Sequence, residues 1–281
     1  MLILIASIAC SVAVSILLKV ARSRDIDVGQ AIAFNYVTAV GLTLALLRPD
    51  PASLFNSTTS YWVIIALGVL LPSIFLVMAT AVRHAGIVLS DAAQRLSLII
   101  PLIAAIVIFG ESIQSGKLLG IGLGLTALVC LTLGSKKSET KANSNAFLWL
   151  LAVWIGYGCI DVLFKQLSKG GAGFSSSLLV TFSLAGLLMF SWLFLRRTQW
   201  KKQSLLAGLL LGLLNFGNIY FYIRAHQQFP ENPTLVFSTM NIGVITLGTI
   251  VGAGFFKEKL SLSSVVGIAL AIGAIVALIP R

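Results

Sequence analysis

Long apolar runs separated by short polar connectors make up the whole chain. A membrane-spanning helix needs roughly 20 mostly apolar residues, whereas barrel strands are about ten residues long with alternating polarity. The runs here are apolar throughout, so they predict helices and not strands. Ten such runs lie near residues 2–20, 29–47, 60–82, 87–109, 117–134, 147–167, 174–195, 203–226, 232–256 and 261–280. The pattern predicts an all-α integral membrane protein with ten transmembrane helices.

Composition supports the same conclusion. Of the 281 residues, 58% are hydrophobic and only 10% are charged, whereas soluble domains carry about 25% charged residues. The net charge of +11 would suit a nucleic-acid partner in a soluble protein. Here the basic residues lie between apolar runs, where they set topology and meet anionic lipid headgroups. We expect a multi-pass protein of the cell (inner or plasma) membrane that contacts the lipid bilayer and no nucleic acid.

The two halves of the chain resemble each other. The longest connector, 135–146, is polar and falls at the midpoint, and a shift of 147 residues aligns three pairs: Glu111 with Glu258, Gly120 with Gly267, and Ala127 with Ala274. Each half holds five spans, and because five is odd the second half enters the membrane from the opposite side. This predicts two inverted five-helix repeats, 1–134 and 147–281, an arrangement typical of secondary transporters.

Two stretches resemble a known family. They are "IIPLIAAIVIFGES" (99–112), which closes the fourth span before a Gly-rich fifth span, and "FFKEKLSLSSVVGIALAIGAI" (255–275), which repeats that pattern. On these residues the chain resembles the drug/metabolite transporter superfamily, in its ten-helix form with two EamA-type five-helix repeats. The resemblance covers nearly the whole chain. It implies a transporter and favours the efflux of amino acids or related metabolites.

Basic residues are distributed unevenly between the two ends of the predicted spans. Thirteen lie on one side and six on the other, with Arg95 inside a span. The richer side is cytoplasmic by the positive-inside rule, which would leave both termini outside. Many members of the resembled superfamily have both termini inside, so the orientation stays open at this point.

Asp161 and Lys165 lie in a strongly apolar run, "GCIDVLFKQL" at 158–167. A charge at the bilayer centre costs at least about 2.5–3.5 kcal/mol on insertion scales, so such residues face a wet cavity or a partner. Trp154, Tyr157, Asp161 and Lys165 share one helix face at spacings of three and four. We expect Tyr157 and Lys165 to bind substrate and Asp161 to couple transport to protons. The alternative is a structural ion pair, with Lys165 reaching the helix end.

The first and fourth spans carry further charged candidates. Lys19 ends a stripe of serines that recur every four residues, a surface that either packs helices closely or adds a cation to the central site. Asp91 and Arg95 are four residues apart, and Asp91 suits the positive N-terminal end of a helix. Arg95 offers a planar fork that binds carboxylate or phosphate. The alternative makes Arg95 a structural partner of Asp91 or Asp161.

Uncharged polar residues complete the candidate set. They are Asn35 in the second span, Asn215 and Asn218 in the eighth, and Ser238 and Asn241 in the ninth. Each could instead hydrogen-bond across helices, a contact worth about 0.6 kcal/mol on average. Their joint occurrence with charges in other spans favours a central polar site. The fifth and tenth spans lack such groups and are rich in Gly and Ala, so we expect them to pack outside that site or to form a homodimer.

A few other residues carry structural predictions. Pro72 and Pro101 are expected to bend the third and fourth spans. Asn232, followed by a proline, is expected to be the N-cap of the ninth span. His84 and His226 lie near helix ends, where we expect them at the membrane interface. The three cysteines each sit alone in an apolar run and are expected to behave as small hydrophobic residues.

These patterns favour a secondary active transporter, and on the resemblance an exporter, that moves a small polar metabolite such as an amino acid by alternating access around a central cavity. The expected substrate-binding residues are Asn35, Arg95, Tyr157, Lys165, Asn215, Asn218 and Asn241. The ion-coupling candidate is Asp161, and the secondary candidates are Lys19, Asp91 and Ser238. Because no nucleophile with a base, metal-ligand cluster or phosphate-binding loop is visible, we expect no enzyme activity, no metal and no cofactor. The alternative is a membrane scaffold or channel-like protein whose intramembrane polar residues are structural.

Overall fold

A computed structural model of the chain describes residues 1–22, 26–50, 52, 61–85, 87–111, 115–134, 146–169, 173–255 and 261–278. Within these ranges the chain is helical and contains no strand. The helices are α1 (Leu2–Arg22), α2 (Val28–Leu42, extended by a π-helical turn at Thr43–Leu47), α3 (Tyr61–Ala85), α4 (Ile87–Leu96), α5 (Ile99–Val107), α6 (Ser115–Gly134), α7 (Ala146–Ser168), α8 (Phe174–Leu195), α9 (Lys202–Gln228), α10 (Pro233–Phe255) and α11 (Leu262–Leu278). Residues 135–145 of the predicted polar connector lie outside the described ranges.

The apolar runs become helices close to their predicted bounds. Among the residues that the structure describes, six helices are long and apolar enough to cross a membrane: Val28–Leu47, Tyr61–Ala85, Ala146–Ser168, Phe174–Leu195, Lys202–Gln228 and Pro233–Gly254. Four shorter apolar helices lie at Leu2–Leu18, Ala92–Val107, Gly116–Cys130 and Val265–Leu278. The predicted all-α fold of a membrane protein is confirmed, while the ten-span inverted repeat stays a prediction. Pro72 lies inside α3, which continues through it.

The fourth predicted span is divided into two helices by a turn at Ser97 and Leu98. Pro101 follows Ser97 by four residues, and a proline inside a helix clashes with the carbonyl four residues earlier and leaves it without its donor. Tighter hydrogen bonds form instead: the Ile100 N–H donates to Ser97 O at 3.0 Å, and the Leu98 N–H donates to Arg95 O at 3.2 Å. The predicted bend is therefore a break in the helix.

The chain forms two compact units. The first comprises Met1–Ile8, Val77–Val162 and Gln228–Arg281, and the second comprises Ala9–Leu76 and Leu163–Gln227. Each unit draws helices from both halves of the sequence. The predicted repeats at 1–134 and 147–281 concern the topology in a membrane, and they stay a prediction.

In the first unit, α6 packs along α11, and α10 packs against both. The core that these helices share is apolar and built from small side chains. Ala127, Ala271 and Ala274 are fully buried there, together with Ile242. Small residues let helix backbones approach closely, so the Gly- and Ala-rich composition of α6 and α11 explains their tight pairing.

In the second unit, α2 packs along α8. Asp27 caps the start of α2, since its Oδ1 accepts a hydrogen bond from the Gln30 N–H at 3.1 Å. The buried Tyr36 ring of α2 lies against the Phe182 ring of α8, with centroids 6.4 Å apart. After its π-helical turn the helix ends at Arg48, whose φ of 43° is left-handed. These contacts fix the register of α2, which carries Asn35.

Candidate functional site

Two asparagines of the candidate set meet in the second unit. The Asn215 Nδ2 of α9 donates to the Asn35 Oδ1 of α2 at 3.0 Å. Asn35 is fully buried, Asn215 is half-buried, and the Asn35 Nδ2 has no hydrogen-bond partner within the described part of the chain. A buried amide N–H without an acceptor is costly, so this pair holds an unused donor in the protein interior.

Two glycines of α9 explain how the amides come together. A methyl group on Gly208 would lie 2.6 Å from the Ala31 carbonyl oxygen, and one on Gly212 would lie 2.6 Å from the Asn35 carbonyl oxygen. The backbones of α2 and α9 therefore touch directly, which only glycine permits at these positions. That close approach brings the side chain at 215 within reach of Asn35.

A second polar group of this unit lies where α7 and α9 end. Lys165 is 2% exposed, although it lies within a helix that is apolar enough to span a membrane. His226, in the last turn of α9, is fully buried and close enough for the Lys165 charge to act on its ring. The Ser168 Oγ donates to Lys165 O at 2.6 Å, and the Gln227 Nε2 donates to Ser168 O at 3.4 Å. Lys165 thus lies inside the protein and does not extend from the helix end to a surface.

His226 was missed as a site residue because its position near a helix end suggested the membrane interface. That prediction is wrong for this residue, which has no exposed surface. Its ring lies 4.8 Å from the Tyr222 ring, and Tyr222 in turn packs edge-on against Phe164 at 6.2 Å. The aromatic residues flanking it along α9 were the available signal. His84, the other predicted interfacial histidine, is half-buried and stacked on Trp149 at 6.2 Å.

In the first unit, the break between α4 and α5 meets α7. The Leu96 carbonyl, left without a helical partner at the break, accepts a hydrogen bond from the Trp154 Nε1–H at 2.9 Å. Gly158 lets α7 approach closely, because a methyl group there would lie 2.6 Å from the Ile100 Cβ. Arg95 precedes Leu96 and is half-buried. The predicted polar face of α7 is therefore next to the backbone that carries Arg95.

The remaining candidates of this unit lie on α7 and α10. Tyr157 and Asp161 are half-buried on α7. On α10, the half-buried Asn241 donates to Phe237 O of its own helix at 3.1 Å. Ser238 is 1% exposed, and its hydroxyl has no hydrogen-bond partner in the described ranges. Ser238 is thus a better candidate than Asn241 for contact with a bound polar molecule, because its buried hydroxyl lacks a partner within the described residues.

The other candidates are placed less fully. Asn218 is half-buried on α9, one turn before Tyr222. Lys19 lies in α1 and Asp91 in α4, but the side chains of both lie outside the described part of the structure. Among the described residues, no three His, Cys, Asp or Glu side chains come together in a way that could hold a metal ion.

Glu111 is a buried carboxylate that the sequence did not identify as a candidate. It follows Gly110, whose φ of 68° ends α5 in a left-handed turn, and its N–H donates to Ala105 O at 2.9 Å. Its Oε2 accepts the Thr234 N–H at the start of α10 at 2.9 Å, and its Oε1 pairs with the Lys117 Nζ of α6 at 2.9 Å. Glu111 therefore joins the ends of three helices of one unit.

The contact between Glu111 and Thr234 adds a distant capping group to the start of α10. The helix begins at Pro233 as expected, but the carboxylate that reaches its first turn comes from 123 residues earlier in the chain. The predicted cap, Asn232, directly precedes the helix, and no residue near Asn232 in the sequence indicates a capping group so far away in the chain.

Comparison with known proteins gives a relative and a fold. No family model matches the chain. An uncharacterized protein of Haemophilus influenzae is 50% identical over 277 residues, which cover 97% of this chain and 95% of that protein. A protein of known crystal structure is similar over 98% of this chain and 94% of its own, with a TM-score of 0.76 at 14% identity. At that identity the likeness shows the fold alone, because one fold serves many functions. The chain belongs to the same family as the uncharacterized Haemophilus influenzae protein.

Proposed function

We propose that the chain is a secondary active transporter of a small polar metabolite with a carboxylate, such as an amino acid. In this proposal the ten apolar runs cross the cell membrane as two inverted five-helix repeats of the EamA type. The molecule would work by alternating access, and on the sequence resemblance as an exporter. The six membrane-length helices and the four shorter apolar ones support the count of ten.

The pairing of α6 with α11 supports the inverted repeat. Two repeats related by a twofold axis bring equivalent positions against each other where the axis passes between them. Ala127 and its repeat equivalent, Ala274, lie in the same fully buried cluster. A chance alignment of the two halves would not favour that contact.

The observation that carries the transport proposal is the burial of Lys165. An ammonium inside an apolar span is costly, and transporters keep such groups where they bind substrate or ions. The buried donors of the same unit include the Lys165 ammonium and the Asn35 Nδ2–H. Donor groups of this kind bind an acceptor, so a substrate carboxylate fits them better than an amine does.

The other candidates take roles consistent with this proposal. On the sequence prediction, Arg95 is a candidate cation for a substrate carboxylate, and Tyr157, Asn218 and Asn241 are candidate hydrogen-bonding residues. Asp161 would carry a proton, because a half-buried carboxylate in an apolar helix can alternate between its charged and neutral forms. Both predicted roles of the pair in α7 require that the helix faces a hydrated path.

A scaffold would bury polar groups for packing alone, and counterflow separates the two functions. Purified protein is first screened by thermal shift against the natural amino acids and the amines that lack their carboxyl group. The best stabiliser is then used, in labelled form, for counterflow in proteoliposomes. We expect a carboxylate to stabilise the protein and to exchange. Absence of both effects across the panel would favour the scaffold.

Lys165→Met tests whether the buried Lys165 binds substrate. Lys169→Met, at the exposed end of the same helix, is its matched control. We expect Lys165→Met to lower counterflow at least about tenfold, the effect of losing about 1.4 kcal/mol of binding, while the protein stays folded. Lys169→Met should change counterflow by less than about twofold. Equal rates for the two variants would contradict the role of Lys165. Asp161→Asn should abolish pH-driven accumulation while counterflow persists.

A further inference from the structure

The connector between α8 and α9 carries a dense positive charge. It reads "RRTQWKK" at 196–202 and contains no acidic residue. All four of its cations are exposed: Arg196, Arg197, Lys201 and Lys202. Four Lys and Arg residues directly beside a membrane-length helix are enough to attract anionic lipid, each contributing about 1 kcal/mol near a charged bilayer surface. The connector is therefore a candidate interaction surface.

A buried glutamine holds the backbone of this connector in place. Gln30 of α2 is fully buried. Its Nε2 donates to Gln199 O at 2.6 Å, and its Oε1 accepts the Lys201 N–H at 2.9 Å. The N–H of Asp27, the nearest acidic residue along α2, donates to the Ser204 Oγ at 2.9 Å, while its carboxylate caps Gln30. The cations thus stand on a fixed loop and not on a free linker.

The turn that starts the connector also fixes its first two cations. Arg197 has a left-handed φ of 50° and reverses the chain, and the Thr198 N–H donates to Leu193 O at 3.2 Å to close the end of α8. The Arg196 guanidinium lies 4.3 Å from the centre of the Trp192 ring. A cation–π contact of this kind orients the charge. The turn at Arg197 thus fixes the start of the connector, as the Gln30 hydrogen bonds fix its end.

Exposed apolar side chains flank the charges. Phe194 is 65% exposed, Leu195 is 85% exposed and Trp200 is 41% exposed, and the Phe194 and Trp200 rings lie 5.8 Å apart. Aromatic residues gather where a membrane helix meets the headgroup layer. A soluble anion would need only the cations, whereas a lipid also supplies acyl chains for these side chains to contact.

We infer that the α8–α9 connector is a binding site for the phosphodiester headgroup of an anionic phospholipid, with its acyl chains against Phe194 and Leu195. This inference rests on α8 and α9 crossing the membrane, which is part of the proposed function, but it does not depend on transport. The charges meet the phosphate, Gln30 holds them in position, and the apolar flank distinguishes a lipid from a free anion.

The test measures lipid binding and not transport. Protein in a neutral detergent is titrated with phosphatidylglycerol or phosphatidylcholine, and bound lipid is counted by native mass spectrometry. Arg197→Asn with Lys202→Gln removes two cations, and asparagine tolerates the left-handed backbone at 197. Lys169→Gln with Arg224→Gln removes two exposed cations near the other end of α9 as the matched control.

We expect phosphatidylglycerol to bind more tightly than phosphatidylcholine. The connector variant should weaken phosphatidylglycerol about 25-fold, at about fivefold for each charge, and the control variant less than about twofold. Equal losses in the two variants would overturn the site, as would equal affinity for the two lipids.

Two further arms test the source of the phosphate and the built geometry. Glycerol phosphate and inorganic phosphate, which lack acyl chains, should fail to displace the lipid at equal concentration, and displacement would overturn the lipid assignment. Gln30→Met keeps every charge and most of the buried volume but frees the connector. It should weaken phosphatidylglycerol several-fold, and unchanged binding would show that the loop is not a built site. If the protein failed in counterflow but bound lipid as expected, the transport proposal would be contradicted and the lipid site would stand.

Discussion

Two helix pairs in this protein use glycine to bring helices together, and they differ in what the glycines touch. Around α6 in the first unit, a methyl group on Gly120 would meet Leu278 of α11, and one on Gly124 would meet the Cδ1 of Ile242 of the adjoining α10. In the α2–α9 pair of the second unit, methyl groups on Gly208 and Gly212 would meet backbone oxygens. The first pair therefore contacts flexible side-chain ends, and the second contacts a rigid backbone.

The two pairs also differ in polarity. The α6–α11 pair shares an apolar core of three alanines with Ile242 of α10. The α2–α9 contact holds Asn35 and Asn215 at hydrogen-bond distance. In lipid there is little hydrophobic force between helices, so association depends on packing and on hydrogen bonds. One pair is thus an adaptable apolar seam, and the other is a fixed polar one.

The largest expected effect is at the end of the apolar seam, where Lys117 of α6 pairs with Glu111. Lys117→Met leaves the buried carboxylate without its charge partner, which costs about 3 kcal/mol. The double variant with Glu111→Gln should recover most of that loss, because glutamine still accepts the Thr234 N–H. Unfolding in mixed micelles measures both. A single variant as stable as the wild type would mean that the ion pair does not stabilise the junction of α5, α6 and α10.

Alanine at one glycine of each seam compares them directly. Gly212→Ala pushes a methyl group against the Asn35 carbonyl oxygen and should destabilise the protein by about 2 kcal/mol, as overpacking does. Gly124→Ala meets the mobile end of Ile242, touches Ala274 only at an ordinary contact distance, and should cost less than about 1 kcal/mol. The unfolding midpoint measures both variants.

Gly41→Ala and Gly122→Ala are the matched controls, because neither would contact anything within 4 Å. Each should stabilise its helix by up to about 1 kcal/mol through helix propensity. If Gly124→Ala proved more damaging than Gly212→Ala, the distinction between an adaptable and a fixed seam would be lost.

The smallest expected effect is the asparagine contact itself. A double-mutant cycle of Asn35→Ala and Asn215→Ala should give a coupling of about 0.6 kcal/mol, the average for hydrogen bonds between membrane helices. So small a coupling would indicate that the amides are not there chiefly for stability. Asn35→Ala should then reduce the thermal shift by substrate more than Asn215→Ala does, since Asn35 holds the unused donor. Equal reductions would assign the pair a structural role.

The helices were predictable because lipid requires long apolar runs, and each run marks its own ends. The break at Ser97 was only partly predictable: Pro101 predicts a disturbance, but whether the helix bends or breaks depends on which group can donate a hydrogen bond to a freed backbone carbonyl. Trp154, 58 residues away, does so at Leu96. Sequence spacing cannot reveal such a partner.

The sequence indicated which types of residue belong to the candidate set better than it indicated which residues they contact. Charge in an apolar run singled out Lys165, and the amide content of two spans singled out Asn35 and Asn215. His226 and Glu111 were missed because both lie near helix ends, where polar side chains usually meet solvent. Their burial depends on helices distant in sequence, as the contact between Glu111 and Thr234 shows.

The break in the fourth span changes the electrostatic setting of Arg95. A continuous helix would have placed this residue in mid-span, whereas here it lies in the last turn of a ten-residue helix. The end of a helix macrodipole carries roughly half a negative charge, which stabilises a nearby cation by up to about 2 kcal/mol when partly buried. Pro101 thereby places a half-buried arginine beside the negative end of a helix dipole. In the proposed transport cycle, the helix dipole would stay beside Arg95 after an anionic ligand has left.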